Sequence, residues 1–181
     1  NMETGIDNAF DKTSDTIGAR NYVLGTSNST PMKSDGNYGT TIQDFPLSDR
    51  LASLPANTPI HYSYDLLVTG ADGGAHWAGW GNPWNAFIQN QVISSDGTHH
   101  FEGNTTLPSN EIITGNIFHS TIDKSLATYQ IENLIITVGS THVDYLPAPE
   151  DVNQQLAKKV NIADMRKPAS DVAGIEEVNA K

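Results

Sequence analysis

Ile60-His61-Tyr62-Ser63-Tyr64-Asp65-Leu66-Leu67-Val68-Thr69 carries the plainest pattern in the chain. Ile60, Tyr62, Tyr64, Leu66 and Val68 alternate with His61, Ser63, Asp65, Leu67 and Thr69, so one set is apolar and the other largely polar. Successive side chains of a strand point to opposite faces, and a period of two therefore reads as a strand with one face on a core.

Similar but weaker runs lie on either side of it at short spacings. Ala19 to Asn28 holds a short apolar core (Tyr22, Val23, Leu24) between turn formers and reads as a first strand. Ser29 to Gly39 is loop in composition, Thr40 to Phe45 a short edge strand, and Leu47 to Pro59 a spacer punctuated by prolines. Asp96-Gly97 is a hairpin signal. His100 to Thr106, Glu111 to Ser120, Ala127 to Val138 and Thr141 to Leu146 read as further strands. About eight short strands with turns between them predict an all-β fold, an antiparallel β-sandwich or jelly roll.

All three tryptophans fall within eight residues, Trp77, Trp80 and Trp84, interleaved with Gly79, Gly81 and Pro83. Glycines and a proline preclude a regular helix there, so Trp77 and Trp80 are expected on a loop that opens at Gly70-Ala71-Asp72-Gly73-Gly74-Ala75. A large ring on a loop is either tucked down as a core plug or displayed as a flat surface for sugars or protein. A strand is expected from Trp84 to Ile93. Trp84, Ala86, Ile88 and Val92 share its apolar face, which makes Trp84 the core ring of the three. Asn85, Gln89 and Gln91 share the other face with Phe87 and could bind sugar hydroxyls, or could be an ordinary solvated sheet face. The candidate carbohydrate site is thus Trp77, Trp80, Asn85, Gln89 and Gln91, with Asp72, His76 and Asn82 from the same stretch.

The 181 residues carry a net charge of −11, which argues against nucleic acid and anionic membranes as partners, since both call for basic patches. With no cysteine, disulfides and thiolate metal sites are excluded. No apolar run approaches the roughly 18 residues of a membrane span, and no signal peptide is visible. The Asn1-Met2 start reads as that of a piece of something longer. Gly-x-Ser-x-Gly, a phosphate loop and His-Glu-x-x-His are all missing, and no spacing of the six histidines resembles a zinc site. No catalytic residue, metal site or cofactor is assigned, although loop carboxylates such as Asp72 or Asp96 have the chemistry for a structural calcium ion.

Residues 1–18 are polar and acidic and read as a linker or the end of a preceding domain; the sandwich is expected over 19–148. After Pro147-Ala148-Pro149 the chain loses Trp, Tyr and Phe and becomes rich in Ala, Lys, Glu and Asn. Val152, Leu156, Val160 and Ala163 recur at helical spacing, Pro168 interrupts, and Val172, Ile175 and Val178 suggest a second short helix. Residues 149–181 are therefore expected to be a helical or extended tail. Its apolar stripe is too thin to fold alone and would pack on the body or on sister chains, giving a homo-oligomer.

Three segments resemble a known family. Arg20-Asn21-Tyr22-Val23-Leu24-Gly25-Thr26-Ser27 resembles the opening of modules in tail proteins of phages infecting Gram-positive bacteria. Leu54-Pro55-Ala56-Asn57-Thr58-Pro59-Ile60-His61-Tyr62-Ser63-Tyr64-Asp65 is similar to one of their strands. Tyr129 to Ile136, followed by Thr141-His142-Val143-Asp144-Tyr145-Leu146-Pro147-Ala148-Pro149-Glu150-Asp151, resembles their closing motif. Ile135-Ile136 and Tyr145 depart from the family pattern, and Gly70 to Ser125 aligns with nothing in it. The resemblance implies a jelly-roll, carbohydrate-binding-module-like domain of a baseplate, tail-tip or distal-tail protein. It implies a virion location at the host cell surface, with host cell-wall polysaccharide and other baseplate proteins as partners and no enzyme activity. A structural adaptor without a glycan site is the rival reading. A polysaccharide-cleaving enzyme is a third.

Overall fold

The computed structural model describes residues 20–39, 41–81, 84–109 and 117–159. Eight strands are defined: β1 (Met32–Lys33), β2 (Thr41–Pro46), β3 (Pro59–Thr69), β4 (Gly74–Trp80), β5 (Asn85–Ile93), β6 (Gly97–Thr106), β7 (Ile117–Asp123) and β8 (Thr128–Val138). They form two four-stranded sheets, β1-β8-β3-β6 and β2-β7-β4-β5, with every pairing antiparallel. Successive strands alternate between the sheets except at β4 and β5, which pair in one sheet, and this is the double Greek-key order of a jelly roll. Compact units divide at Ala148 and Pro149. In the second unit residues 149–159 are helical. The expected second tail helix and the expected linker at 1–18 lie outside the described residues.

The core is the space between the sheets. Ile60, Tyr62, Tyr64, Leu66 and Val68 of β3 all enter it, as their alternation predicts. They meet Trp80, Phe118 and Ile122 of the second sheet in one apolar cluster. Burying such side chains stabilises the fold by about 1.5–3 kcal/mol each.

Several elements differ from the sequence reading, each for a local reason. Tyr22 and Val23 are buried but form no strand: Val23 makes a single bridge to Leu47, and Thr26–Asn28 is a 3-10 turn. The Asn21 side chain takes the place of ladder partners there. Its amide donates to the Leu134 and Leu146 carbonyls at 2.8 and 3.0 Å. Its oxygen accepts from the Val23 and Ile136 N–H groups at 3.0 and 3.2 Å. Tyr22 N–H also donates to the Ile136 carbonyl at 3.0 Å, so the opening segment lies along β8.

Met32–Lys33 is a short strand inside the expected loop. Asp96-Gly97 joins no hairpin, because β5 pairs with β4 while β6 pairs with β3 in the other sheet. Residues 141–148 contain no strand. Of the strand expected over Glu111 to Ser120, residues 111–116 lie outside the described set.

The largest correction concerns the glycine-rich stretch. Gly74–Trp80 is strand β4 at the middle of its sheet, between β7 and β5, rather than a loop. Its alternation sends His76, Ala78 and Trp80 inward and leaves Ala75 and Trp77 half-buried on the outer side. Trp80 is 1% exposed and packs on Phe87 at 5.3 Å between ring centroids. Trp84, expected in the core, is 44% exposed. In β5 the left-handed Asn90 and pairing shifts opposite Ala78 break the simple alternation. Ile88 and Ile93 go in, Val92 is 63% exposed, and Phe87 turns inward against Tyr62 and Phe118.

Candidate functional site

The outer face of the sheet β2-β7-β4-β5 carries a groove of about 220 Å³ lined by Gly39, Trp77, Trp84, His119, Thr121 and Asp123. Strand β7 supplies its floor: Phe118, Ser120 and Ile122 point to the core, so His119, Thr121 and Asp123 are left on the other side. Trp77 is the register partner of Thr121, and Gly79 that of His119. The chain folds back across Gly79 into β5 and brings the Trp84 ring edge-to-face onto His119, 5.0 Å between centroids.

The polar groups of the groove are already oriented. His119 Nδ1 lies 3.1 Å from Asp44 Oδ1, the pair being register partners on β7 and β2. Burial raises the Asp44 carboxyl above its ordinary range, while His119 and the Ser120 N–H pull the other way. Asp123 Oδ1 accepts the Gly39 N–H at 2.7 Å, fixing the rim. Next in the chain, Tyr38 is 71% exposed, with the Lys124 ammonium 4.6 Å above its ring. The site therefore combines one exposed and one half-buried indole ring with a histidine, a carboxylate and a hydroxyl. A pyranose presents the matching chemistry, an apolar C–H face and a rim of hydroxyls.

Of the described residues expected at the site, Trp77 alone lines this groove. Trp80 and His76 are core residues, for the alternation reason given above. His76 Nδ1–H donates to the Thr121 carbonyl at 3.1 Å, and its Nε2 accepts from the Tyr64 hydroxyl at 2.6 Å. Asp72 clamps loops: its oxygens accept from the Ser125 hydroxyl at 2.6 Å and from the Leu126 N–H at 2.8 Å, and these bonds lower its carboxyl's pKa. Asp96, the other calcium candidate, accepts from the Ala71 N–H at 2.8 Å. Asn85, Gln89 and Gln91 are exposed on the edge strand but line no part of the groove. Asn82 lies outside the described residues.

Sequence reasoning missed Asp44, His119 and Asp123. The signal was the polar alternation His119-Thr121-Asp123 between Phe118, Ser120 and Ile122, legible only once β7 is paired with β4.

A larger groove, about 310 Å³, lies over the other sheet between Thr26, Ser27, Ser29, Gln130, Glu132, Asn133 and Tyr145. Its polar groups bond one another, Thr26 to the Tyr145 hydroxyl at 2.9 Å and Gln130 to the Ser29 carbonyl at 3.1 Å. With no indole ring in its walls, it is the poorer sugar platform of the two.

No protein-family model matches the chain, and no curated protein matches it in sequence. Among solved structures the chain is similar to the tripod (BppUct-A-L) from the baseplate of bacteriophage Tuc2009. That match has 13% identity and a TM-score of 0.46, covering 72% of this chain and 59% of that one. It is also similar to the N-terminal cellulose-binding domain of β-1,4-glucanase C from Cellulomonas fimi, with 10% identity, a TM-score of 0.41, and coverage of 70% and 98%. A third similarity is to the CBM22-1–GH10 modules of xylanase Xyn10B from Clostridium thermocellum, solved with xylohexaose. There the identity is 13% and the TM-score 0.39, with 67% of this chain and 27% of that one covered. The chain thus spans about three fifths of the baseplate chain it matches. Among the described residues no helix is long and apolar enough to cross a membrane.

Proposed function

We propose that this chain is a non-catalytic carbohydrate-binding module of a phage tail or baseplate protein, which grips cell-wall polysaccharide of a Gram-positive host at the virion surface. The observation that carries the ligand class is the Trp77–Trp84 groove. A soluble domain rarely leaves large rings on a solvent face without a use for them. In this reading the indoles stack on pyranose rings, His119 and Asp123 take hydroxyl hydrogen bonds, and Asp44 orients His119. The resemblance of the opening, β3 and closing segments to phage tail modules supports the virion setting, with other baseplate proteins as further partners. Each groove is small, so single-site affinity is weak and many copies per virion provide the grip.

The test is binding to wall fragments and purified wall polysaccharide of Gram-positive bacteria. Trp84→Ala and Trp77→Ala should each weaken binding by roughly tenfold or more, with melting temperature little changed. The wild-type chain should release no reducing ends from the same polysaccharide. Wild-type binding by both tryptophan variants would move the glycan site elsewhere and favour the adaptor.

A further inference from the structure

On the opposite sheet, three histidines surround one carboxylate. Glu102 Oε2 lies 2.7 Å from His61 Nε2 and 2.6 Å from His142 Nδ1, while its Oε1 lies 2.8 Å from His100 Nε2. The ligand atoms of His61, Glu102 and His142 all fall within 4.8 Å of one another. These residues come from three places in the chain. His61 is on β3, Glu102 faces it diagonally from β6, and His142 arrives on the segment after β8.

The far nitrogens are also occupied. His61 Nδ1 is 2.7 Å from Asn104 Oδ1, and His142 Nε2 is 2.9 Å from Asp144 Oδ1. A neutral imidazole has one N–H to give. If Asn104 and Asp144 take those protons, His61 Nε2 and His142 Nδ1 turn bare lone pairs toward a carboxylate oxygen that is itself only an acceptor. Three lone-pair donors then converge with no hydrogen among them. A positive charge between them resolves the conflict, carried either by a second proton on a ring or by a metal ion. The outer carboxylate or amide holding each ring is the arrangement that orients metal-binding histidines.

We propose that His61, His142 and Glu102 bind one divalent cation of the zinc class, with His100 flanking the second carboxylate oxygen. Nitrogen-rich donors suit zinc, cobalt or nickel; calcium prefers six to eight oxygens. Tetrahedral zinc holds nitrogen at about 2.0–2.1 Å, so its ligand atoms sit roughly 3.3 Å apart. The nitrogen–oxygen pairs here open by about 0.7 Å to admit it, and His142, on an exposed segment, is free to give that movement. The site staples the closing segment of the sandwich across β3 to β6, which makes it a structural centre on the face away from the tryptophan groove.

The experiment uses the untagged full chain, stripped with a chelator and titrated with zinc, cobalt or calcium by calorimetry and thermal melting. The expected result is one zinc per chain, a raised melting temperature, tetrahedral cobalt absorption bands, and no response to calcium. His142→Ala should fold as wild type and lose roughly 100-fold or more in zinc affinity, while Asp144→Asn should lose about 10–100-fold. His119→Ala, in the tryptophan groove, should bind zinc normally. No zinc-dependent shift in the wild type, zinc binding unchanged in His142→Ala, or an equal response to calcium would each overturn the proposal.

Discussion

A β-carbon on Gly79 would overlap the carbonyl oxygen of Asn85 and lie 2.5 Å from the Ala86 Cα. Strands β4 and β5 meet this closely only because position 79 has no side chain. On either side of this approach the two rings part: Trp84 lies on His119 of the outer face, while Trp80, next to the glycine, fills the core.

Gly79→Ala should therefore disturb both stability and the groove. The obstacle is backbone, which cannot rotate away, so β5 must shift. A loss of roughly 1–3 kcal/mol is expected, as for overpacking in a core. Urea unfolding and wall-polysaccharide binding read the two effects. A variant with wild-type stability and wild-type binding would show that the approach is slack.

The tryptophans should separate cleanly by stability. Trp80→Ala removes a fully buried ring and should cost about 3–5 kcal/mol. Trp84→Ala, at a half-exposed ring, should cost about 1 kcal/mol or less. Equilibrium unfolding of both variants checks the pair. The reverse order would mean that Trp84 is the core ring, as a simple alternation along 84–93 implies.

The sequence was legible where one rule acted alone. The period of two in β3 needed no partner to be read, and all five residues of its apolar face are core. Legibility failed where a second effect intervened. In β4, glycines that permit close strand approach looked like loop glycines. In β5, Asn90 shifted the alternation, so Ile93 rather than Val92 turned inward. At Asn21 a side chain satisfied backbone groups that a ladder would otherwise pair. The candidate site was legible only at Trp77, for a related reason. Trp77 stood out by type, whereas Asp44, His119 and Asp123 acquire meaning only through the long-range pairing of β2, β7 and β4.

Asn21 is expected to be among the least replaceable residues of the body. Its side chain serves two carbonyls and two N–H groups in a buried setting. Asn21→Ala strands all four, and roughly 2–4 kcal/mol should be lost. Asn21→Asp keeps the acceptor but turns carboxylate oxygen toward the Leu134 and Leu146 carbonyls, so it should be at least as damaging. Thermal melts of both variants decide this. An aspartate variant as stable as wild type would show that the two amide donations contribute nothing.

Acid should act on the core through His76. The ring is fully buried, and that burial is the main reason its pKa falls from 6.5 to about 4. The bond from Nδ1–H to the Thr121 carbonyl opposes the fall, and His99 adds slightly to it. Because the folded value lies below the unfolded one, the unfolded chain binds more protons between about pH 6.5 and 4. His76 therefore contributes its full stabilisation above pH 6.5, loses it progressively as the pH drops, and adds no further slope below about 4. A depression of this size corresponds to a loss on the order of 3 kcal/mol across the window. Glutamine at this position can still donate to Thr121 and accept from Tyr64, but it does not titrate. Urea unfolding of wild type and His76→Gln in steps from about pH 7 to pH 4 isolates the effect from the other histidines. The stability difference between the two proteins should shift toward the variant as the pH falls, and parallel curves would place the acid sensitivity outside the core.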